Sequence, residues 1–236
     1  MNWTDITQLF KKLGPAGPLA LIATSVPVVV AAAIVGFMPW LGAWLRSHPL
    51  AGPGTFMTAY VVLGALGCLP THAYSLLAGY AFGFWPGFIM AMVSYVLAAE
   101  LAYIIARRAT GERVLNLVSE NVKWKAVYDA LLSSGFGRTL LIVTLLRVSP
   151  NPFALTNLVM AATRVNPVAY LIATVVGLAP RTGALIFLAS RFGLDRKEPI
   201  WLWAIWILAT LLMLAIIGHV ANQAVARVTD PQRKSD

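Results

Sequence analysis

The stretch Leu140–Ala162 reads LLIVTLLRVSPNPFALTNLVMAA, almost wholly apolar yet broken near its centre by Arg147, Pro150 and Pro152. A charge deep in a bilayer costs at least a few kcal/mol unless it is partnered or hydrated, so membrane proteins that keep one usually use it. Arginine stays protonated in any protein environment, and its fork can hold a phosphate through two parallel hydrogen bonds. The plain alternative is an arginine that snorkels to the interface. The apolar runs Leu140–Leu146 and Phe153–Ala162 on both sides make that awkward. Pro150 and Pro152 each remove a backbone donor and forbid a regular helix, leaving carbonyls for Ser149, Asn151, Asn157 or water to satisfy. Helix ends made this way inside a membrane aim partial positive charge at an anion. Arg147, Pro150, Asn151 and Asn157 are therefore candidate anion-binding residues, with Pro152 shaping the break. In the bland alternative, the asparagines merely repair the backbone.

Other polar residues in apolar runs extend the candidate site. Arg181 follows Pro180 within Val175–Phe187, where a proline–arginine pair suggests a kinked helix facing a polar cavity. His72, beside Pro70 and Thr71, is the matching candidate in the first half, although a lone histidine is more often structural. Glu100 lies inside a long apolar stretch and has three readings. It sits near the interface, pairs with Arg147 or Arg181, or carries a proton with a pKa raised by desolvation. Gly79, Gly83 and Gly87 form a small-residue stripe whose expected role is close helix packing. Enzyme signatures are missing: the chain has no HExxH, GxSxG, phosphate-binding loop or CxxC. Three scattered histidines and one cysteine, Cys68, share no metal-ligand spacing. Neither an enzyme, a metal site nor a cofactor is expected.

These residues must be positioned by membrane helices. The 236 residues are 59% hydrophobic and only 11% charged, against about 25% charged in a soluble domain. The net charge of +9 sits beside and between apolar segments, where lipid headgroups and topology explain it better than nucleic acid does. Asn2–Lys12 reads as a surface helix. Pro18–Trp40 reads as a first span, retained rather than cleaved and kinked at Pro27. Trp40 and Trp44 suggest an interfacial belt. Trp85–Ala106, Pro167–Ser190 and Ile200–His219 are further spans, each near the 20 residues a bilayer requires. Arg107–Arg138 reads as a charged surface helix pair, and Ala221–Asp236 as a polar tail.

Neither Thr55–Phe84, broken at Pro70, nor Thr139–Thr163 makes one convincing span. Each is expected to fold as a re-entrant hairpin. The two halves echo each other, because Pro70 precedes Pro86 much as Pro150 precedes Pro167, and each second proline opens a long apolar run. Paired interrupted segments are a signature of inverted-repeat transporters. The expected fold is an all-α polytopic membrane protein, an inverted repeat with two opposed re-entrant hairpins and about four full transmembrane helices. With a cytoplasmic amino terminus, this topology puts most lysines and arginines inside, Arg107, Arg108, Arg113, Lys123 and Lys125 among them.

Two stretches resemble the DedA / SNARE-associated Golgi protein family, whose shared membrane region is the VTT domain. One is Leu77-Ala-Gly79-Tyr-Ala-Phe-Gly83-Phe-Trp-Pro-Gly87 running on to Arg107. The other is Leu146-Arg147-Val-Ser-Pro150-Asn-Pro152-Phe153 with Asn157, similar to the family's arginine-x-x-proline hairpin motif. The resemblance covers roughly 51–190. It implies opposed re-entrant hairpins and movement of lipids across membranes, by flipping of polyprenyl-phosphate carriers or scrambling of phospholipids. Typical bacterial members carry an acidic residue ahead of the first hairpin proline. Gly67-Cys68-Leu69-Pro70 has none, which puts the chain nearer the Tvp-like branch.

The expected organisation is 1–50 as surface helix, first span and outer loop, 51–190 as VTT-like membrane core with hairpins near 55–84 and 139–163, and 191–236 as last span and tail. The expected function is a flippase or scramblase of a phosphate-bearing lipid, such as a phospholipid or polyprenyl phosphate. Rivals are an ion- or proton-coupled small-solute transporter and a non-transporting membrane scaffold. Expected partners are membrane lipids, anionic or phosphate-bearing, with no nucleic acid and with homo-oligomerisation left open. The expected location is a bacterial inner membrane, with both termini cytoplasmic.

Overall fold

The computed structural model describes residues 17–109, 122–132, 134–149 and 153–192, with scattered positions between 208 and 224. The described residues form helices and connecting turns. In chain order they are α1 (Gly17–Gly36), α2 (Met38–Ser47), α3 (Ala51–Ala65), α4 (Thr71–Phe82), α5 (Phe84–Ala109), α6 (Val122–Leu132), α7 (Phe136–Val148), α8 (Phe153–Ala162) and α9 (Pro167–Ser190).

Two of these helices, Phe84–Arg108 within α5 and Pro167–Ser190, are long and apolar enough to cross a membrane. Together they form the frame of the molecule, packed against each other. Their buried faces are small or hydroxyl-bearing: Ala91, Ser94, Tyr95, Ala98, Ala99 and Ala102 on α5, and Ala169, Tyr170, Ala173, Thr174 and Gly177 on α9. Their larger aliphatics, such as Ile89, Val93 and Leu97 or Val168, Ile172 and Val176, point outward. Lipid tails are as apolar as leucine, so helix contact here depends on close packing and hydrogen bonds rather than on hydrophobic expulsion. Asn166 starts α9 cleanly, its side-chain oxygen accepting from the amides of Val168 and Ala169.

Around this frame lie two pairs of shorter helices, α3–α4 and α7–α8, matching the two interrupted segments of the sequence. Their packing is crosswise. α3 lies on α5 and α7 on α9, while α4 packs on both α9 and α5, and α8 crosses to α5. The break at Pro70 falls where the sequence places it. Pro150, Asn151 and Pro152, at the second break, lie outside the described residues.

The first span departs from expectation. Pro27 is inside α1, but the sharp turn of 70° comes at the junction of Gly36 and Met38, with Pro39 in the opening turn of α2. A proline opening a new helix restarts the chain in a new direction, which a proline within a continuous helix does less completely. The bent pair docks on α4, where Arg46 donates to the carbonyl oxygen of Tyr80 at 2.9 Å and lies over its ring. Two spans and one bent pair are thus found among the described residues. The expected span Ile200–His219 and the surface helix Asn2–Lys12 fall largely or wholly outside them, as does the segment 110–121.

Candidate functional site

Arg147 closes the last turn of α7, where the helix dipole favours a cation. It is 3% exposed. Its Nη2 donates to Asn157 Oδ1 on α8 and to the Tyr170 hydroxyl oxygen on α9, the latter at 3.0 Å. The Tyr170 hydroxyl is bracketed by two acceptors, the carbonyl oxygen of Ala99 on α5 at 3.1 Å and Asn157 Oδ1 at 2.9 Å. The guanidinium carbon sits 4.7 Å from the centre of the Phe153 ring. Four helices therefore converge on one buried cation. Gly177 makes this possible: a Cβ there would collide with Arg147 Cβ and lie 2.7 Å from the Thr144 carbonyl oxygen.

The second arginine is on α9, on the same stripe as Tyr170, Thr174 and Gly177. Arg181 is 8% exposed and donates through Nη2 to Thr71 Oγ1 at 3.3 Å. Thr71 is the first residue of α4, and Pro70 before it offers no side-chain cap. The Thr71 carbonyl oxygen accepts from Ser75 Oγ and from the Tyr95 hydroxyl, both at 2.8 Å.

Tyr60 on α3, fully buried, stands between the two arginine clusters. Its ring is 4.7 Å from that of Tyr95 and 6.3 Å from that of Phe153. Tyr60 feels the charge of both arginines, and the arginines repel each other.

The unsatisfied atoms define what this interior lacks. Arg147 Nε, Arg181 Nη1, Asn157 Nδ2, Tyr60 Oη and Ser149 Oγ are buried without a hydrogen-bond partner among the described residues. The three nitrogens can only donate, and both hydroxyls can donate. Orphaned buried donors are rare and costly, at roughly 1–3 kcal/mol each and more for charged groups. Two cations and five potential donors sharing one interior are chemically suited to an anion with several acceptor oxygens. The amino ends of α4 and α8, at Thr71 and Phe153, lie beside the two arginines and add partial positive charge.

The sequence candidates divide accordingly. Arg147 and Asn157 are hydrogen-bonded to each other, and Arg181 joins the same interior. His72, next to Thr71 in the first turn of α4, is exposed and makes no hydrogen bond to either arginine, but it lies within reach of the Arg181 charge. Pro150, Asn151 and Pro152 lie outside the described residues. Glu100 forms no ion pair with Arg147 or Arg181; it lines a cleft with Tyr103, Arg107 and Arg108 and lies within electrostatic reach of Tyr170. The glycine stripe splits in function. Gly79 meets the Ile186 carbonyl and Gly87 the Ala78 carbonyl too closely for a side chain, as packing predicts. Gly83 has open space around it, but it caps α4 at φ +76°, ψ −173°, a conformation essentially confined to glycine.

Tyr60, Tyr95, Tyr170 and Gly177 were not singled out from the sequence, and Thr71 figured only as a neighbour of His72. The signal available was a hydroxyl inside an apolar run, since a buried tyrosine hydroxyl needs a partner. Among the described residues no group of histidine, cysteine, aspartate and glutamate could hold a metal.

The family model of the VTT domain matches residues 69–191. The Golgi apparatus membrane protein TVP38 of Debaryomyces hansenii is 28% identical over 106 residues, covering 45% of this chain and 27% of that protein. Its counterpart in Meyerozyma guilliermondii is 32% identical over 111 residues, covering 44% and 30% respectively. The matched segment thus spans less than a third of either yeast protein. No solved structure gives a significant match. The expected bacterial inner-membrane location is overturned, because these relatives are Golgi membrane proteins of yeasts. Chain size, apolar spans and Gly-Pro loops are shared by membrane bundles everywhere and carry no mark of compartment.

Proposed function

The chain belongs to the VTT-domain family, nearer its fungal TVP38-like branch, and from that premise we propose that it moves a phosphate-bearing lipid between membrane leaflets. The observation carrying this reading is the buried pair Arg147 and Arg181, with five orphaned polar atoms around them and no carboxylate bonded to either guanidinium among the described residues. The phosphate would occupy that donor-lined interior, while the acyl or prenyl tail stays in lipid beside the bundle. In this reading α3–α4 and α7–α8 are re-entrant hairpins entering from opposite faces of a core spanning 51–190, and Ile200–His219 completes about four spans. Two matched pairs of contacts on α5 and α9, α3·α5 with α7·α9 and α4·α9 with α8·α5, support an inverted repeat, although α4 also packs on α5 without a counterpart between α8 and α9. Rocking of one half against the other would expose the arginines to each leaflet in turn.

The test is reconstitution in liposomes carrying leaflet-selective, headgroup-labelled phospholipid or polyprenyl phosphate. The native chain should move one of them. Arg147→Ala, shown to be folded and inserted, should lower the rate to that of protein-free liposomes. Normal movement by Arg147→Ala would refute the central role of that cation. No movement of either lipid by the native chain would favour a small-solute transporter or a scaffold.

A further inference from the structure

Among the described residues five tyrosines are buried: Tyr60, Tyr74, Tyr95, Tyr103 and Tyr170. The last four each donate their hydroxyl to a backbone carbonyl oxygen, of Phe56, Thr71, Val165 and Ala99 respectively, over 2.8–3.2 Å. Tyr60 differs: its Oη is buried and has no hydrogen-bond partner among the described residues. A hydroxyl buried in this way is costly, and a phenylalanine would fill nearly the same space without that cost. Phe56 and Phe153 pack in the same cluster. The Tyr60 ring is nevertheless fixed on several sides. It lies 4.3 Å from the Tyr74 ring and meets Tyr95 and Phe153 edge-on at 4.7 and 6.3 Å. Gly64, one turn further along α3, gives the ring its seat, since a Cβ there would lie 2.6 Å from it. Phe153 and Tyr95 connect this ring to the two cations. Phe153 lies against the Arg147 guanidinium, and Tyr95 bonds the same Thr71 that receives Arg181. Both arginine charges reach Tyr60. The orphaned nitrogens Arg147 Nε, Arg181 Nη1 and Asn157 Nδ2 only donate, so none of them can accept its proton.

We infer that Tyr60 is a ligand-contacting residue of the arginine site, its hydroxyl donating to an oxygen of the bound phosphate. This role rests on the reading of that interior as a phosphate site. It adds a contact from α3, ahead of residue 69, where the match to the VTT domain begins. The two guanidiniums attract any anion, whereas a phenol adds no charge and favours only an acceptor placed at its own oxygen. The empty site leaves that hydroxyl unpaired, and the filled site pairs it. Tyr60 therefore lowers the stability of the free protein and strengthens its hold on the ligand.

The experiment is thermal unfolding of the detergent-solubilised full chain, titrated with farnesyl phosphate and with dioctanoyl phosphatidate. Farnesol and dioctanoylglycerol are the phosphate-free controls. On the native chain at least one phosphate, and neither control, should raise the melting temperature. Arg147→Ala should remove that rise. Tyr60→Phe without phosphate should melt at or above the native temperature. It should nevertheless bind the effective phosphate about tenfold more weakly, the scale of one hydrogen bond to a charged group. Native affinity in Tyr60→Phe, with the rise still lost in Arg147→Ala, would overturn the role of Tyr60 and leave the arginine site standing. No rise on the native chain, or one that survives Arg147→Ala, would refute the phosphate site and the role of Tyr60 with it. A Tyr60→Phe chain that melts lower, or does not fold, would show the hydroxyl holding the bundle together, which equally overturns the inference.

Discussion

Arg147 and Arg181 are held by hydroxyls, an amide and a ring face, with no carboxylate bonded to either guanidinium among the described residues. Such groups stabilise a folded bundle poorly on their own, because desolvating an ion costs several kcal/mol that neutral partners repay only in part. Tyr170 is the residue that links this cost to the architecture, joining α5, α7, α8 and α9 through one oxygen. Tyr170→Phe should destabilise the protein by about 1–3 kcal/mol, the cost of leaving buried partners unpaired. The measurement is thermal unfolding in detergent, paired with lipid movement in liposomes. An unchanged melting temperature would show that the hydroxyl is dispensable to the bundle.

At the scale of elements, glycines decide how close the helices come and where they stop. Gly177 lets α7 lie against α9 at the level of Arg147. Gly177→Val should cost about 1–3 kcal/mol by overpacking and should displace Arg147, so transport and stability should fall together. Gly83→Ala tests a different mechanism. No neighbour obstructs the added methyl group, but the backbone at φ +76° resists it, at an expected cost of about 1–3 kcal/mol. Comparing the melting temperatures of Gly83→Ala and Gly54→Ala, the latter in open space at ordinary φ, separates backbone strain from loss of glycine as such. Equal melting temperatures would remove the backbone argument.

At the scale of the molecule, the crosswise packing of α3–α4 and α7–α8 makes a claim about sidedness. Opposed hairpins require the chain to enter α3 and α7 from opposite faces of the membrane. Cys68 is the only cysteine, so Cys68→Ala gives a clean background for single cysteines at Pro49 and at Gly137. In oriented vesicles, a membrane-impermeant maleimide should label one position from outside and the other only after permeabilisation. Labelling of both from the same face would rule out the opposed arrangement.

Much of this architecture was legible in the chain because membrane physics is written locally. A run near 20 apolar residues between polar flanks marks α5 and α9, and a proline within or after an apolar run marks the break at Pro70. Arg147 and Asn157 stood out because polar groups in apolar runs are expensive wherever the run is buried. What the sequence could not decide was which of these groups meet. The pairing of Arg147 with Tyr170, the placing of Glu100 in a cleft with Arg107 and Arg108, and the exposure of His72 depend on helix rotation and contact. Gly177 shows why: its role exists only because α7 arrives there. In a bilayer both faces of a helix are apolar, so hydropathy names the segments that enter the membrane. Only tertiary packing, through small residues and hydrogen bonds, decides which face turns inward.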